Sequence, residues 1–364
     1  MKVAKRYLSY LLKKNLLRTV TFTAISVIIC FIVVDGEAGS GLVKYRSTGI
    51  ASLAVMLSLF SVIIPMLELA DFKNRRNLDT LYFFPIERKK MAAVHFISGF
   101  VQLAVIYTVS FAVSYIYLLM TADFFALGYM IPYYFASLGL GFVMYSVFAF
   151  VFNQGNTVVD GLILCALWSI VLYVVIWAGM DTFGKILFAG AQWSEAEYEE
   201  WNEMTRFISW GTVFTPINNL TVIFQDLIEV NRHELVYNSV SVAAGRYIQQ
   251  MYMFFVWGAV GIAAAIGFIF SFACKGANMA GEISSSWFGY KTLIPVFGYS
   301  IILYLASYDN FDTLLILTYI AMLIGYIIYR RSFKIKKSDV IVMACSAIPI
   351  TVGIVLQTMM PRFF

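Results

Sequence analysis

Charge is what this sequence has least of. Asp, Glu, Lys and Arg make up 13% of its 364 residues, against 61% apolar residues and a mean hydropathy of +0.79. Soluble proteins are about one-quarter charged and half apolar, so the deficit excludes a soluble globular domain and leaves a polytopic membrane chain. Histidine is nearly missing: His95 and His233 are the only two, too few for a paired-histidine zinc helix and a poor basis for a His-based triad. The four cysteines, Cys30, Cys165, Cys274 and Cys345, stand singly in or beside apolar runs with no close Cys or His, which points away from a disulfide framework and from a metal site. There is no phosphate-binding loop. Gly276 to Gly281 has the two glycines of one, but Glu282-Ile283 stands where Lys-Ser/Thr is required, and the acid would repel phosphate. Any ATP this chain depends on must therefore be held by another subunit, and no cofactor of its own is expected.

What is present is a run of apolar segments separated by basic loops. Residues 1–18 carry Lys2, Lys5, Arg6, Lys13, Lys14 and Arg18, with Tyr7, Leu8, Leu11, Leu12 and Leu16 between them. This is the pattern of a basic amphipathic helix lying on membrane lipid, and it is expected to run unbroken into the first span. Spans are read over Thr19 to Val34, Thr48 to Leu69, Ala92 to Met120, Pro132 to Phe152, Gly161 to Gly179, Met251 to Ala273, Thr292 to Ser307, Thr313 to Tyr329 and Val340 to Thr358. That gives about nine transmembrane helices in an all-α fold. Spans four and five are divided only by Asn153 to Asp160, and length alone makes them two crossings. Most of the 26 Lys and Arg residues fall in residues 1–18, 71–91, 274–291 and 330–339, which places those segments and the N-terminus in the cytoplasm by the positive-inside rule. Anionic inner-leaflet lipid accounts for the net charge of +5, so no nucleic acid is implied.

The interval 181–249 is acidic. Asp181, Glu195, Glu197, Glu199, Glu200, Glu203, Asp226, Glu229 and Glu234 outnumber Lys185, Arg206, Arg232 and Arg246, which puts it on the outer side. Ser194 and Glu197 form a capping-box pattern ahead of an interfacial amphipathic helix, with Trp193, Trp201 and Trp210 in an aromatic belt. Pro216-Ile217-Asn218-Asn219 reads as a break, the mark of a re-entrant or interfacial turn. In span six, Gly258, Gly261, Ala263, Ala264, Ala265 and Gly267 allow close helix approach. The apolar cores hold no acid or base, which argues against proton-coupled transport.

The chain is organised around residues 68–91. Asp71 is placed to cap a short helix, with Phe72, Leu78, Leu81 and Tyr82 toward the membrane and Lys73, Arg75, Arg76 and Asp79 toward water. Pro85 ends it. At about 18 Å, such a helix is too short to stand alone in water. Glu68 is expected to pair with Arg75, Arg76 or Arg88 and so lock span two to this segment. The run Asn77-Leu78-Asp79-Thr80-Leu81, followed by Pro85-Ile86-Glu87-Arg88-Lys89-Lys90-Met91, resembles the coupling segment of type 2 ABC transporter permeases in motif and in its place between spans two and three.

The resemblance implies a six-span permease core over 19–273, a coupling helix within 71–91, and additional transmembrane helices over 274–364. It implies docking by Asp71, Lys73, Asn74, Arg75, Arg76, Asn77, Asp79, Thr80, Pro85 and Arg88 to a cytoplasmic ABC ATPase subunit that binds the ATP. It also implies pairing with a second permease copy or paralogue, export of cargo, and residence in a bacterial plasma membrane. Two other readings stand beside it: a non-transporting sensor or scaffold that binds an outside ligand through 181–249, and a secondary transporter.

Overall fold

A computed structural model describes residues 2–38, 48–74, 85–121, 127–187, 212–232, 252–275, 281–282, 284, 286–305 and 312–359. All regular structure among them is helical. The helices are α1 (Lys2–Lys14), α2 (Leu16–Ala38), α3 (Thr48–Ala70), α4 (Arg88–Thr121), α5 (Leu127–Gln154), α6 (Val158–Leu187), α7 (Thr215–Arg232), α8 (Tyr252–Cys274), α9 (Tyr290–Leu305), α10 (Asp312–Arg330), α11 (Lys337–Cys345) and α12 (Ala347–Met359). Among the described residues six stretches are long and apolar enough to cross a bilayer: Ser52–Lys73, Arg88–Ile116, Met130–Gln154, Val158–Gly179, Tyr252–Cys274 and Thr313–Arg330. They match expected spans two to six and eight. Span one lies in the 23-residue helix α2, Leu16–Ala38, and span seven appears as the shorter apolar helix Tyr290–Leu305.

The ninth expected span is not one helix. It divides at Ser346, whose N–H turns back to Met343 O and whose hydroxyl meets the Tyr319 phenol. A serine that finds a side-chain partner on α10 offers the backbone an alternative to the helical ladder. Between α5 and α6, by contrast, the polar divider marks a real turn. Thr157 Oγ1 accepts the Asp160 N–H at 3.0 Å, and the Asp160 carboxylate accepts the Asn156 N–H at 3.0 Å, the reciprocal logic of a capping box. Gly155 lies against the backbone of Gly161 with no room for a side chain.

The chain forms two compact units. The first comprises Met1–Asn153 with Phe214–Gly281. In it α4 is the hub, packing against α1, α2, α3 and α8. Its centre is aromatic: Phe96 meets Tyr145 edge-on at 5.0 Å and Phe268 at 5.6 Å, and Tyr145 donates to Phe96 O at 3.0 Å across the space left by Gly99. Gly261 seats α8 against the backbone of Val143 on α5, and Gly267 does the same against the Phe150 ring, while Gly258 faces open space. Part of the small-residue face of span six is therefore a packing surface inside this unit.

Residues 215–232 form one continuous helix, α7, packed on α3 and α8, not the expected break. Pro216 is only the second helical residue, where the missing N–H had no intrahelical partner to lose. Of the rest of the interval 181–249, Ser194 to Glu197, Trp193, Trp201 and Trp210 lie outside the described residues.

The second unit comprises Gln154–Val213 with Glu282–Phe364. In it α9 packs on α6, α10 and α12. Trp177 meets Tyr304 in a tilted pair with 3.8 Å between ring centres, and Ile294, Ile302, Met322 and Tyr326 make the core.

Candidate functional site

The expected site begins where α3 ends, and there the structure departs from a free-standing helix. Asp71–Lys73 is a single 3-10 turn, and Asn74 is extended at φ −101° and ψ 118°, so no helix runs on from Asp71. Ala70, not Asp71, precedes the turn, and no side chain caps it. Asp71 instead pairs with Lys14 of α1 at 3.4 Å. Both partners are half exposed, so the pair contributes about 0–1 kcal/mol. Arg75, Arg76, Asn77, Asp79, Thr80, Leu78, Leu81 and Tyr82 lie outside the described residues.

Lys73 does not point into water. It is 9% exposed, its Nζ donates to Phe152 O at 2.7 Å, and it sits 4.4 Å from the centre of the Phe152 ring. The alkyl stem covers apolar surface while the ammonium caps a carbonyl that the last turn of α5 leaves without an intrahelical donor. A second cation does the same one residue on: Lys275, after α8, donates to Asn153 O, and Asn153 Nδ2 donates to Ser271 Oγ at 2.9 Å. Two positive charges thus meet the negative end of the α5 dipole.

On the far side of the segment, Pro85 and Ile86 form a bend, and Arg88 opens α4. Arg88 Nη1 donates to Lys275 O at 3.0 Å. The residues on either side of 75–84 are therefore both anchored. Lys73 is fixed to the end of α5 and Arg88 to the end of α8.

α1 covers the same end of the unit. Tyr7 and Leu11 are buried with Met91 and Val94 of α4, and Ala4, Leu8, Phe72 and Ile86 close the cluster. The apolar face of α1 thus rests on protein, a correction to the picture of a helix held by the membrane surface alone. Burial of each large side chain is worth roughly 1.5–3 kcal/mol, which a helix of 13 residues needs, being marginal by itself. Phe72 is turned inward, edge-on to His95 at 4.7 Å and to Phe272 at 4.9 Å. Lys5, Arg6, Lys13 and Lys14 remain exposed. α1 passes into α2 through a turn at Asn15 across which backbone bonds continue, Asn15 N to Leu11 O at 2.9 Å and Thr19 N to Asn15 O at 3.0 Å.

The partner of Glu68 is Arg18, not Arg75, Arg76 or Arg88. Arg18 Nη2 donates to Glu68 Oε2 at 2.5 Å, and Asn15 Nδ2 donates to the same oxygen at 3.0 Å. Arg18 also donates to Gln102 Oε1 from Nη2 at 2.7 Å and from Nε at 3.2 Å. Gln102 Nε2 donates back to Ser98 O at 3.2 Å. His95 brings Nδ1 to 3.5 Å from Glu68 Oε1, off the line of a proper hydrogen bond. The Glu68 side chain is 3% exposed and that of Arg18 23%.

This is a buried ionic network joining α2, α3 and α4, with Glu68 at the end of the second span. Asp160 and Asp339 are buried as well, the latter held by Arg330 through Nε and Nη2 at 2.6 and 2.5 Å. Tyr7 reaches His95 Nε2 at 3.0 Å. Burial first, and the nearby Glu68 charge second, push the Tyr7 phenol up to about 12, so it stays protonated at physiological pH. Arg18, Asn15, Gln102, Lys275 and Ser271 were not singled out by sequence reasoning. The available signal was that Arg18 and Glu68 are opposite charges at the same end of neighbouring spans, with Gln102 polar in an apolar run.

Among the described residues no group of His, Cys, Asp and Glu could hold a metal ion. What the helices define is a multi-pass, all-α membrane protein. No protein-family model matches the chain, and no curated protein matches its sequence.

Proposed function

We propose that the chain is the membrane subunit of an ATP-driven exporter in a bacterial plasma membrane. It has about nine spans, a cytoplasmic N-terminus and an unidentified cargo, and it pairs with a second copy or a related permease. Two cytoplasmic ABC ATPase subunits bind the ATP and dock on residues 71–91. The observation that carries this reading is the double anchoring of that segment. A push on residues 75–84 would be delivered through Lys73 to α3 and α5 and through Arg88 to α4 and α8. The anchoring suits a lever better than a passive loop. The lack of a phosphate-binding loop supplies the reason for a partner, and the resemblance of Asn77 to Met91 supplies the partner's class.

The test is purification of the tagged protein from native membranes. Wild type is expected to bring down an ATPase. Arg75→Ala, Arg76→Ala and Asp79→Ala together are expected to release it while the chain remains folded. Unchanged co-purification of the ATPase with the triple variant would remove the docking claim.

A second reading has one observation in its favour. Glu68, His95 and Gln102 buried together are the type of group that secondary transporters use. Against it, Arg18 neutralises Glu68 within the network, which leaves no vacant carboxylate for a moving proton.

A further inference from the structure

The second unit contains a cavity of about 500 Å³, within the range of small-molecule sites. α9 packs against α6 and α10, and its residues form the floor while theirs form the two walls. Ile163 and Leu167 line one wall, Leu293 and Phe297 the floor, and Ala321 and Met322 the other wall. From Val159 to Leu167 the groove runs for roughly 12 Å, and from Thr318 to the end of α10 for nearly 20 Å. Apart from Thr318, whose hydroxyl donates to Leu314 O at 2.8 Å, its polar groups gather at one end, at the start of α6, the start of α9 and the end of α10. That is the end at which Arg330, Arg331, Lys334, Lys336 and Lys337 cluster.

Three charged residues mark this mouth: Asp160, Glu282 and Arg331. Asp160 is already engaged, its Oδ2 accepting the N–H groups of Asn156 and Ser284 at 3.0 and 3.2 Å. Glu282 and Arg331 are exposed, and among the described residues the Arg331 guanidinium has no ion-pair or hydrogen-bond partner. Arg331 is also the only described non-glycine residue with positive φ, at 49°. It occupies the left-handed position after α10, its N–H returning to Ile328 O at 3.2 Å. Helices usually place glycine or asparagine there, because any other side chain is strained. A strained arginine at the mouth of an apolar groove is accounted for if its guanidinium has a ligand.

The geometry points to a binding site for one phospholipid with an amine headgroup, such as phosphatidylethanolamine. Its phosphate would meet Arg331, its ammonium would meet Glu282, and an acyl chain would fill the groove between α6 and α10. The apolar walls require a hydrocarbon tail. The pair of opposite, solvent-facing charges complements a zwitterionic head better than a purely anionic one, and a guanidinium is the side chain best suited to phosphate. The site rests on the membrane character of the chain and not on the exporter reading.

The test uses the full-length protein, stripped in detergent and then exposed to equal amounts of phosphatidylethanolamine, phosphatidylglycerol and phosphatidylcholine, with bound lipid counted by native mass spectrometry. Wild type is expected to retain one phosphatidylethanolamine. Arg331→Gly is expected to lower its occupancy at least tenfold while melting at or above the wild-type temperature, because glycine suits the backbone. Gly325→Leu leaves Arg331 in place and fills the groove. A Cβ there makes only ordinary contact with Ile294 at 3.4 Å, so the variant should fold and lose the lipid too. Retention by Arg331→Gly or by Gly325→Leu, or equal retention of all three lipids by wild type, overturns the assignment.

Discussion

Replacing Arg18 with alanine is expected to lower the melting temperature of the purified protein by on the order of 10 °C. The reason is the position of Glu68, whose side chain is 3% exposed and whose charge would be left without its cation. Breaking a buried pair by removing one partner costs about 3–5 kcal/mol, and about 2–4 °C is lost per kcal/mol in a sizeable chain. Asn15 and Gln102 would still donate to the carboxylate, but neither carries charge. The effect should be asymmetric. Glu68→Ala should cost less, because Arg18 is 23% exposed and can turn its guanidinium toward solvent. Arg18→Met combined with Glu68→Leu should recover most of the loss, since no charge then remains to be buried. Melting by scattering or intrinsic fluorescence measures all three. A loss below about 2 °C in Arg18→Ala, under 1 kcal/mol by the same conversion, would mean that water reaches Glu68.

Lys73→Met with Arg88→Met is expected to leave the ATPase bound, since these two side chains are turned onto the carbonyls of Phe152 and Lys275 and the docking contacts then fall to the residues between them, but to disconnect it from the spans. Methionine keeps the unbranched stem that packs over Phe152 and removes only the ammonium. Charge-assisted hydrogen bonds are worth about 1.5–3 kcal/mol each, and the cation over the Phe152 ring adds roughly 0.5–2 kcal/mol. Those contacts hold the two ends of the segment to α5 and α8. Cys274 is an exposed reporter in place, at the end of α8 and next to Lys275. In wild type, trapping the ATPase with nucleotide and vanadate should change the rate at which Cys274 reacts with a maleimide. In the double variant that change should fall at least tenfold while the amount of co-purified ATPase stays the same. A full-sized change would mean that motion reaches α8 by another route.

The helices were legible in the sequence wherever an apolar run was long enough and its ends were marked. The turn at Asn153 to Asp160, the long helix that opens at Arg88, and the amphipathic first helix all follow from hydropathy and charge. Three features did not. Pro216 looked like a break because proline usually is one, yet in the first turn of a helix it has no hydrogen bond to remove. Ser346 looked like an ordinary residue of a span, because its partner Tyr319 lies on a different helix. Lys73 reads as a water-facing residue on the strength of its charge, whereas its stem lies on Phe152 and its ammonium caps the end of α5. The pairing of Glu68 with Arg18 belongs to the same group. It joins positions 50 residues apart, and periodicity within one helix carries no information about which neighbouring helix supplies the cation. Sequence thus located the charged segment and its flanks, while the contacts that anchor it came only from helix packing.

The central claim is that residues 75–84 face the cytoplasm and touch an ATPase. It is tested most directly by the Asn77→Cys substitution in a chain with its four native cysteines replaced, followed by treatment of native membranes with a short thiol-to-amine cross-linker. The Asn77→Cys chain is expected to be unreactive toward an impermeant maleimide added outside intact cells. After cross-linking it should be joined to a protein that carries a phosphate-binding loop, identified by mass spectrometry. Labelling of the introduced thiol from outside, or an adduct set with no ATP-binding protein in it, would contradict the claim.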